Sequence, residues 1–354
     1  MKKILITPLD WGLGHATRCI PIIHELLKRG CTVLVAGSGD SLLLLKREFP
    51  QLTFFNLPAY APVYSGKQSM ILKIVIQIPK FIATIWKEHL QIERLAEQHN
   101  IDFIISDNRY GCWRSKTPSI FITHQLHILM PRRLKWIEPL VGRLNKWLVR
   151  KFSHCWIPDY TDEKFRLSGK LSTNNEAMLA VTYIGPLSRF HRADSLQYKY
   201  DLVFVLSGPE PQRSIFEEKV CLQLRASSLR YLVIRGVLTN SVSTQENEIA
   251  FLDTKDLQAI ISQSLMVIAR SGYSTIMDLA VLGKKGVLVP TPGQTEQEYL
   301  ADRWKGLGVF YSASQHDFNL QEALEKSKSY TGLKIDGVQS NQLLTQAVDA
   351  LLVG

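Results

Sequence analysis

Short apolar runs rich in Ile, Val, Leu and Phe alternate along this chain with longer stretches in which apolar residues recur every three to four positions. The opening sets the rhythm: Lys3–Thr7 reads as a strand, Ala16–Lys28 as an amphipathic helix ending at Arg29-Gly30, and Cys31–Ala36 as the next strand. Gly30 suits the left-handed position that follows a helix, and the three elements together form a parallel βαβ unit. Further strands are expected at Thr53–Leu57, Phe103–Ser106, Ser119–Thr123 and Cys155–Ile157. A polar, turn-rich passage from Gly185-Pro186 to Lys199 interrupts the pattern. It restarts with strands at Asp201–Leu206, Tyr231–Ile234, Ile249–Leu252, Leu265–Ala269 and Gly286–Pro290, and with helices beginning near Arg213, Lys255, Ser274 and Glu296. The expectation is an α/β chain of two Rossmann-like, doubly wound parallel-sheet domains, 1–190 and 200–340, with a C-terminal helix over 341–354 that packs back on the first domain. At 354 residues and 45% hydrophobic, the chain exceeds what one core comfortably organises.

Charge changes the picture, because the net +10 is unevenly spread. Residues 1–199 hold 28 Lys and Arg against 15 Asp and Glu, whereas residues 200–354 hold 14 against 17. The first half therefore meets something anionic: nucleic acid, a phosphorylated substrate or the cytoplasmic leaflet. No nucleic-acid-binding motif accompanies the charge, and no nucleic-acid partner is expected. Lys67, Lys73, Lys80 and Lys87 punctuate Ile, Leu, Phe and Trp across residues 67–94, while Arg132, Arg133, Lys135, Arg143, Lys146, Arg150 and Lys151 surround Trp136 and Trp147. That is either a membrane-surface signature or a set of ordinary helix faces packed on a sheet with their lysines solvated. The apolar stretch Met70 to Trp86 is broken by Lys73, Gln77, Pro79 and Lys80 and makes a poor spanning helix. Five scattered cysteines without a CxxC, and an N-terminal apolar run cut off by Pro8 and Asp10, point to a cytoplasmic protein with room for peripheral attachment to the inner face of the membrane.

Candidate chemistry gathers where strands run into helices. The first strand leads into Pro8-Leu9-Asp10-Trp11-Gly12-Leu13-Gly14-His15-Ala16-Thr17-Arg18, in which Gly12 and Gly14 let the backbone turn and approach a ligand at the carboxyl edge of the sheet. His15 has an ordinary pKa of about 6.5 and is the first candidate for a general base. His124 and Asp107, each just beyond a strand of the same sheet, are the others, although Asp107 in Ser106-Asp107-Asn108 reads equally as a turn residue. Arg18 faces a phosphate or a carboxylate, or else is a solvated surface charge. His124 and His127 form an HxxH without further spaced ligands, so no metal site is expected. In the second half, Ser207-Gly208 and Arg270-Ser271-Gly272 each join a strand to a helix and aim backbone N–H groups at one sheet edge. Asp278, about a turn into the second of these helices, suits either a pair of ribose hydroxyls or the helix dipole.

The segment Glu248–Ala313 resembles the donor domain of family 28 glycosyltransferases, including the enzyme that adds N-acetylglucosamine to lipid I. The likeness lies in Phe251-Leu252-Asp253, Arg270-Ser271-Gly272, Asp278 and the run Pro290 through Tyr299. The resemblance implies a GT-B architecture with two domains facing a cleft, a UDP-sugar donor, and a hydroxyl acceptor that includes lipid-linked ones. It further implies that the Leu252 backbone reads uracil, that Asp278 stands at the ribose carboxylate, and that Gln297 and Glu298 stand where that enzyme has a Gln-Gln pair on the donor sugar. An acid at Glu298 in place of an amide leaves N-acetylglucosamine as one candidate sugar among others. Ser207-Gly208 resembles the family's diphosphate loop, with Pro209 and Pro211 replacing more flexible residues, and Thr123-His124-Gln125 falls at its His-Glu-Gln-Asn turn. The start from Gly12 to Arg18 is also similar to UDP-sugar hydrolases of pseudaminic acid synthesis, which keeps water open as the nucleophile. With no Asp-x-Asp in the sequence, the resemblance implies metal-independent transfer with inversion and no cofactor.

Overall fold

The computed structural model describes residues 1–62, 77–173, 180–192, 197–238 and 247–353. These fall into two units: one takes in the described residues from Met1 to Leu187 together with those after Gly337, and the other runs from Ser188 to Gly337.

In the first unit seven strands, β1 (Lys3–Pro8), β2 (Thr32–Gly37), β3 (Thr53–Asn56), β4 (Phe103–Asp107), β5 (Ser119–Ile122), β6 (His154–Ile157) and β7 (Val181–Tyr183), form one sheet in the order β3-β2-β1-β4-β5-β6-β7. Every pairing is parallel. The order reverses between β1 and β4, so a crevice opens at their carboxyl ends, the place where open α/β sheets take ligands. Helices α1 (Leu13–Lys28), α2 (Gly39–Glu48), α3 (Ile78–Gln98) and α4 (Glu138–Val149) cover the sheet, with a 3-10 turn at Arg132–Ile137 before α4. Ile92, Leu95 and Ala96 of α3 pack with Leu5, Leu34 and Ile104 of the strands, which makes the i, i+3, i+4 spacing of α3 a core face.

The second unit repeats the plan. Strands β8 (Tyr200–Val205), β9 (Tyr231–Ile234), β10 (Glu248–Ile249), β11 (Ser264–Ala269), β12 (Gly286–Leu288) and β13 (Tyr311–Ser312) pair in parallel in the order β10-β9-β8-β11-β12-β13. Its helices are α5 (Gln212–Arg225), α6 (Thr254–Ser262), α7 (Tyr273–Leu282), α8 (Thr295–Gly306) and α9 (Leu320–Ser327); the last helix, α10 (Gly337–Val353), belongs from Val338 onward to the first unit. Here the switch point lies between β8 and β11, and the loops beyond them carry Ser207-Gly208 and Arg270-Ser271-Gly272.

Two boundaries differ from expectation in a way that matters for the site. Helix α1 begins at Leu13, with Gly12 as its N-cap at φ 111°, so Gly14 and His15 lie inside its first turn rather than in a loop. Strand β10 ends at Ile249, and Phe251-Leu252 are loop residues leading to Asp253, whose side chain caps α6 by accepting from Asp256 N at 2.9 Å.

Candidate active site

At the crevice of the first unit four predicted residues come together. His15 Nδ1 lies 2.8 Å from Asp107 Oδ1. Arg18, one helical turn after His15, donates to the same carboxylate through Nε at 3.0 Å and Nη2 at 2.6 Å. Its Nη1 lies 2.9 Å from Nδ1 of His124, which follows β5. Arg18 is therefore not a surface charge: it is 2% exposed. Asp107 is the last residue of β4 and fully buried, so the turn reading of Ser106-Asp107-Asn108 gives way to a strand end whose side chain enters the cluster.

Electrostatics divides the roles. Burial pushes the Asp107 carboxyl up, but the Arg18 guanidinium and the His15 ring outweigh it and hold the group down at about 2. Burial is the largest influence on the His15 pKa and lowers it; Asp107 raises it, Arg18 and His124 lower it further, and the net shift is downward. The imidazole is neutral at pH 7. With Asp107 ionised, a proton on Nδ1 is donated to Oδ1 and the lone pair sits on Nε2, the arrangement a general base needs. Arg18 Nη2, 2.7 Å from the same ring nitrogen, sends its hydrogen to the carboxylate instead. His127 takes no part, because its Nε2 pairs with Glu138 at 3.0 Å, so the HxxH splits between two partners. Gly12, at φ 111°, makes the turn into α1 before this cluster, and Gly14 lies in the first turn of the helix itself.

In the second unit Arg270 departs from the usual fate of a loop arginine. It is 1% exposed, and it donates to the carbonyls of Val289, Pro290 and Gln212 and to Gln315 Oε1 at 2.6 Å. The Phe216 ring lies 4.6 Å beneath its guanidinium. None of these partners is a carboxylate, and burial lowers its pKa to about 10. Its Nε and the Thr291 hydroxyl are buried without a hydrogen-bond partner among the described residues. Both stand next to Gly208, at φ +105°, where an added Cβ would be 3.4 Å from Thr291 Oγ1 and 3.9 Å from Arg270 Nε. A buried cation with only neutral partners, below a glycine loop and beside the N-cap Gly272, provides an electrostatic setting for an anion.

Asp278 is half-buried on α7 and accepts from the Ser188 hydroxyl at 2.5 Å. Burial raises its pKa to about 6, against the pull of Arg189 and Ser188. Ser271 Oγ donates to the Gln297 carbonyl at 2.8 Å. Gln297 braces its own loop: its Oε1 accepts from Thr291 N at 2.9 Å and its Nε2 donates to Gln294 Oε1 at 2.5 Å. The exposed Glu298 accepts from Gly293 N at 2.9 Å. Leu252 is half-buried in the loop before α6.

The outer faces of α3 and α4 are unusual. Ile78, Ile82, Trp86 and Leu90 stand exposed at four-residue spacing on α3, and Trp136, Leu140, Leu144 and Trp147 stand exposed at spacings of four, four and three across the 3-10 turn and α4. The rings connect them. His89 of α3 stacks on Trp113 at 4.3 Å, and the Lys151 ammonium lies 5.8 Å from the Trp113 centroid and 4.8 Å from that of Trp147. Lys67 and Lys73, part of the basic pattern, lie outside the described residues.

Sequence reasoning missed three buried groups near these sites: Glu88, Arg109 and Gln315. Glu88 shares a helix face with Thr84, Ile92 and Leu95, and that apolar spacing around a carboxylate was the one available signal.

Two tandem parallel sheets with glycine loops at both switch points make up two doubly wound α/β units, and the comparisons give their class. Residues 203–331 match the glycosyltransferase family 28 C-terminal domain. A glycosyltransferase of Methanosarcina acetivorans, described as uncharacterized, is 24% identical over 317 residues, covering 84% of this chain and 81% of that protein. The UDP-N-acetylglucosamine–N-acetylmuramyl-(pentapeptide) pyrophosphoryl-undecaprenol N-acetylglucosamine transferase of a Sulfurihydrogenibium species is 24% identical over 334 residues, 92% of this chain and 89% of that one. The crystal structure of Acinetobacter baumannii MurG superposes with a TM-score of 0.58 at 15% identity, covering 99% of this chain and 100% of that one. The chain is a glycosyltransferase of GT-B fold. Its second unit carries the family 28 C-terminal domain.

Proposed function

We propose that the protein moves a sugar from a UDP-sugar, with UDP-N-acetylglucosamine as the first candidate, to a hydroxyl of a lipid-linked acceptor, without a metal and with inversion. His15 is the base that takes the acceptor proton at Nε2, with Asp107 holding its ring and His124 bordering it through Arg18. The glycine loops at Ser207-Gly208 and Arg270-Ser271-Gly272 hold the donor diphosphate, Asp278 takes the ribose hydroxyls, and Leu252, Gln297 and Glu298 border the uracil and the sugar. As UDP departs in an in-line displacement, helix N-termini and the Arg270 cation offset the charge that develops on it. Gly12, Gly14 and Arg18 shape the acceptor side.

The observation that carries the lipid acceptor is the pair of exposed apolar ridges on α3 and α4, flanked by Lys80, Lys87, Arg132, Arg133, Lys135 and Arg143. Tryptophans buried in a core would have supported the alternative of ordinary packed faces. Trp86 is 63% exposed and Trp136 78%, so the ridges suit the interface of an anionic leaflet. Among the described residues no helix is long and apolar enough to cross a membrane, so attachment is by surface docking. Each basic residue near an anionic surface contributes about 1 kcal/mol, screened by salt. Flotation is expected with phosphatidylglycerol-rich vesicles at low salt, to be released at high salt, and to be lost when Arg132, Arg133 and Lys135 are replaced by Glu. A wild type that stays at the bottom of the gradient would mean that the acceptor is not membrane-borne.

Donor binding gives a second expectation. Asp278→Ala should weaken UDP by about 1–3 kcal/mol, the loss of hydrogen bonds to a charged acceptor, as read by calorimetry. Because the Asp278 pKa lies near 6, wild-type UDP affinity should also fall as pH drops below that value, and more steeply than in the alanine variant, which keeps only the dependence that comes from the UDP phosphate itself. Adding EDTA should change neither affinity. Unchanged UDP binding in Asp278→Ala would reduce the residue to a partner of Ser188.

A further inference from the structure

Beside the His15 cluster lies a second ion pair with no exposed side-chain surface, Arg109 with Glu88, at 2.5 Å. A pair this deeply buried roughly breaks even against apolar packing of the same volume, so stability alone does not account for it. Its contacts suggest another role. Arg109 Nε donates to the Pro8 carbonyl at the end of β1 at 2.7 Å, Nη1 to the Pro58 carbonyl beyond β3 at 3.2 Å, and Nη2 to Ser38 Oγ beyond β2 at 2.5 Å. One guanidinium thus ties together the carboxyl ends of three strands, and it stands two residues after Asp107 at the end of the fourth.

Glu88 fastens the same loop to α3. Its Oε2 accepts from Gly111 N at 3.0 Å and from the Tyr60 hydroxyl at 2.9 Å. At Gly111 the helix backbone is so close that a Cβ would stand 2.4 Å from the Ile85 carbonyl. Between Asp107 and Arg109 there is little slack: Asn108 holds φ 58°, and the Ser106 hydroxyl closes the turn onto the Arg109 carbonyl at 2.8 Å. Glu88 is on the inner face of the helix whose outer face bears Ile82, Trp86 and Leu90.

We propose that Arg109, held by Glu88, is the positioning residue of the Asp107–His15 pair, and that it ties the geometry of that pair to the seating of helix α3. The inference deepens the proposed function and rests on it for the role of His15 and for the apolar ridge. Seating the outer face of α3 moves Glu88 with the helix, Arg109 follows Glu88, and the short turn carries the displacement to the Asp107 carboxylate. The reacting edge is then in its working geometry when the ridge is occupied.

The test is long-range proton–nitrogen NMR on the full chain labelled at its histidines, which reads the His15 tautomer without any acceptor or turnover. Wild type should show His15 protonated on Nδ1. Glu88→Gln, shown to be folded by its unfolding transition, should lose that single-tautomer pattern, and Tyr60→Phe, a milder change to the same carboxylate, should shift it part of the way. His191 in the second unit should be unmoved in both. Adding phosphatidylglycerol-rich vesicles should shift the His15 signals of wild type and leave those of Glu88→Gln in place although that variant still floats. Folded Glu88→Gln and Tyr60→Phe with the wild-type His15 pattern would overturn the positioning role. His15 signals unmoved in a wild type that floats would overturn the tie to α3. If wild type does not float, the membrane reading fails by itself, and the variant spectra still decide the positioning role.

Discussion

Replacing His15 with alanine is expected to cut turnover by about 10²–10⁴-fold, the usual contribution of a positioned general base, while leaving UDP affinity near wild type. Rate and donor binding separate because His15 belongs to the first unit, whereas the loops proposed to hold UDP belong to the second. The neutral ring that burial produces is what makes the rate loss large. An imidazolium would have no lone pair for the acceptor proton, and a base that stays unprotonated at pH 7 is available in nearly every molecule. UDP release measured with acceptor lipid present gives the rate, and calorimetry with UDP gives the affinity. Near-normal turnover in His15→Ala would move the role to His124, which the same arginine contacts.

The sequence made the architecture legible because parallel strands buried on both faces read as short continuous apolar runs, as in Ile4-Leu5-Ile6 and Val203-Phe204-Val205. Shorter or half-buried elements were not. The two-residue β13 and the half-buried β7 carry too little apolar pattern to register, and the exposed apolar residues of α3 and α4 blur the periodicity that would mark those helices. Individual site residues were visible at strand ends, since His15, Asp107 and His124 follow β1, end β4 and follow β5. Their joint geometry was not, because His15 and Asp107 are far apart in the chain and only the β1–β4 pairing, Pro8 opposite Asp107, brings them to one edge. Arg18 shows the same limit. Nothing in its spacing tells a solvated arginine from one buried against a carboxylate.

Asp107→Asn should cost both rate and stability, and the pH dependence should show which effect belongs to the carboxylate. The amide presents a donor where Arg18 and His15 need an acceptor, and it leaves a buried guanidinium without its counter-charge. Breaking a buried pair in this way costs about 3–5 kcal/mol. In wild type the Asp107 pKa falls from an ordinary 3.8 to about 2 on folding. Since the folded value is the lower one, its contribution, of order 2 kcal/mol, is in place above pH 4 and is lost as pH falls towards 2. Denaturant unfolding between pH 6 and 2 should therefore show this loss in wild type and not in Asp107→Asn. The rate should fall by a factor comparable to that of His15→Ala, because the ring loses the acceptor that fixes Nδ1–H and leaves Nε2 basic. The acid limb of the pH–rate profile should move to lower pH as well, since Asp107 is what raises the His15 pKa against burial. An Asp107→Asn protein with an unshifted acid limb and the wild-type loss of stability in acid would show that another group orients His15.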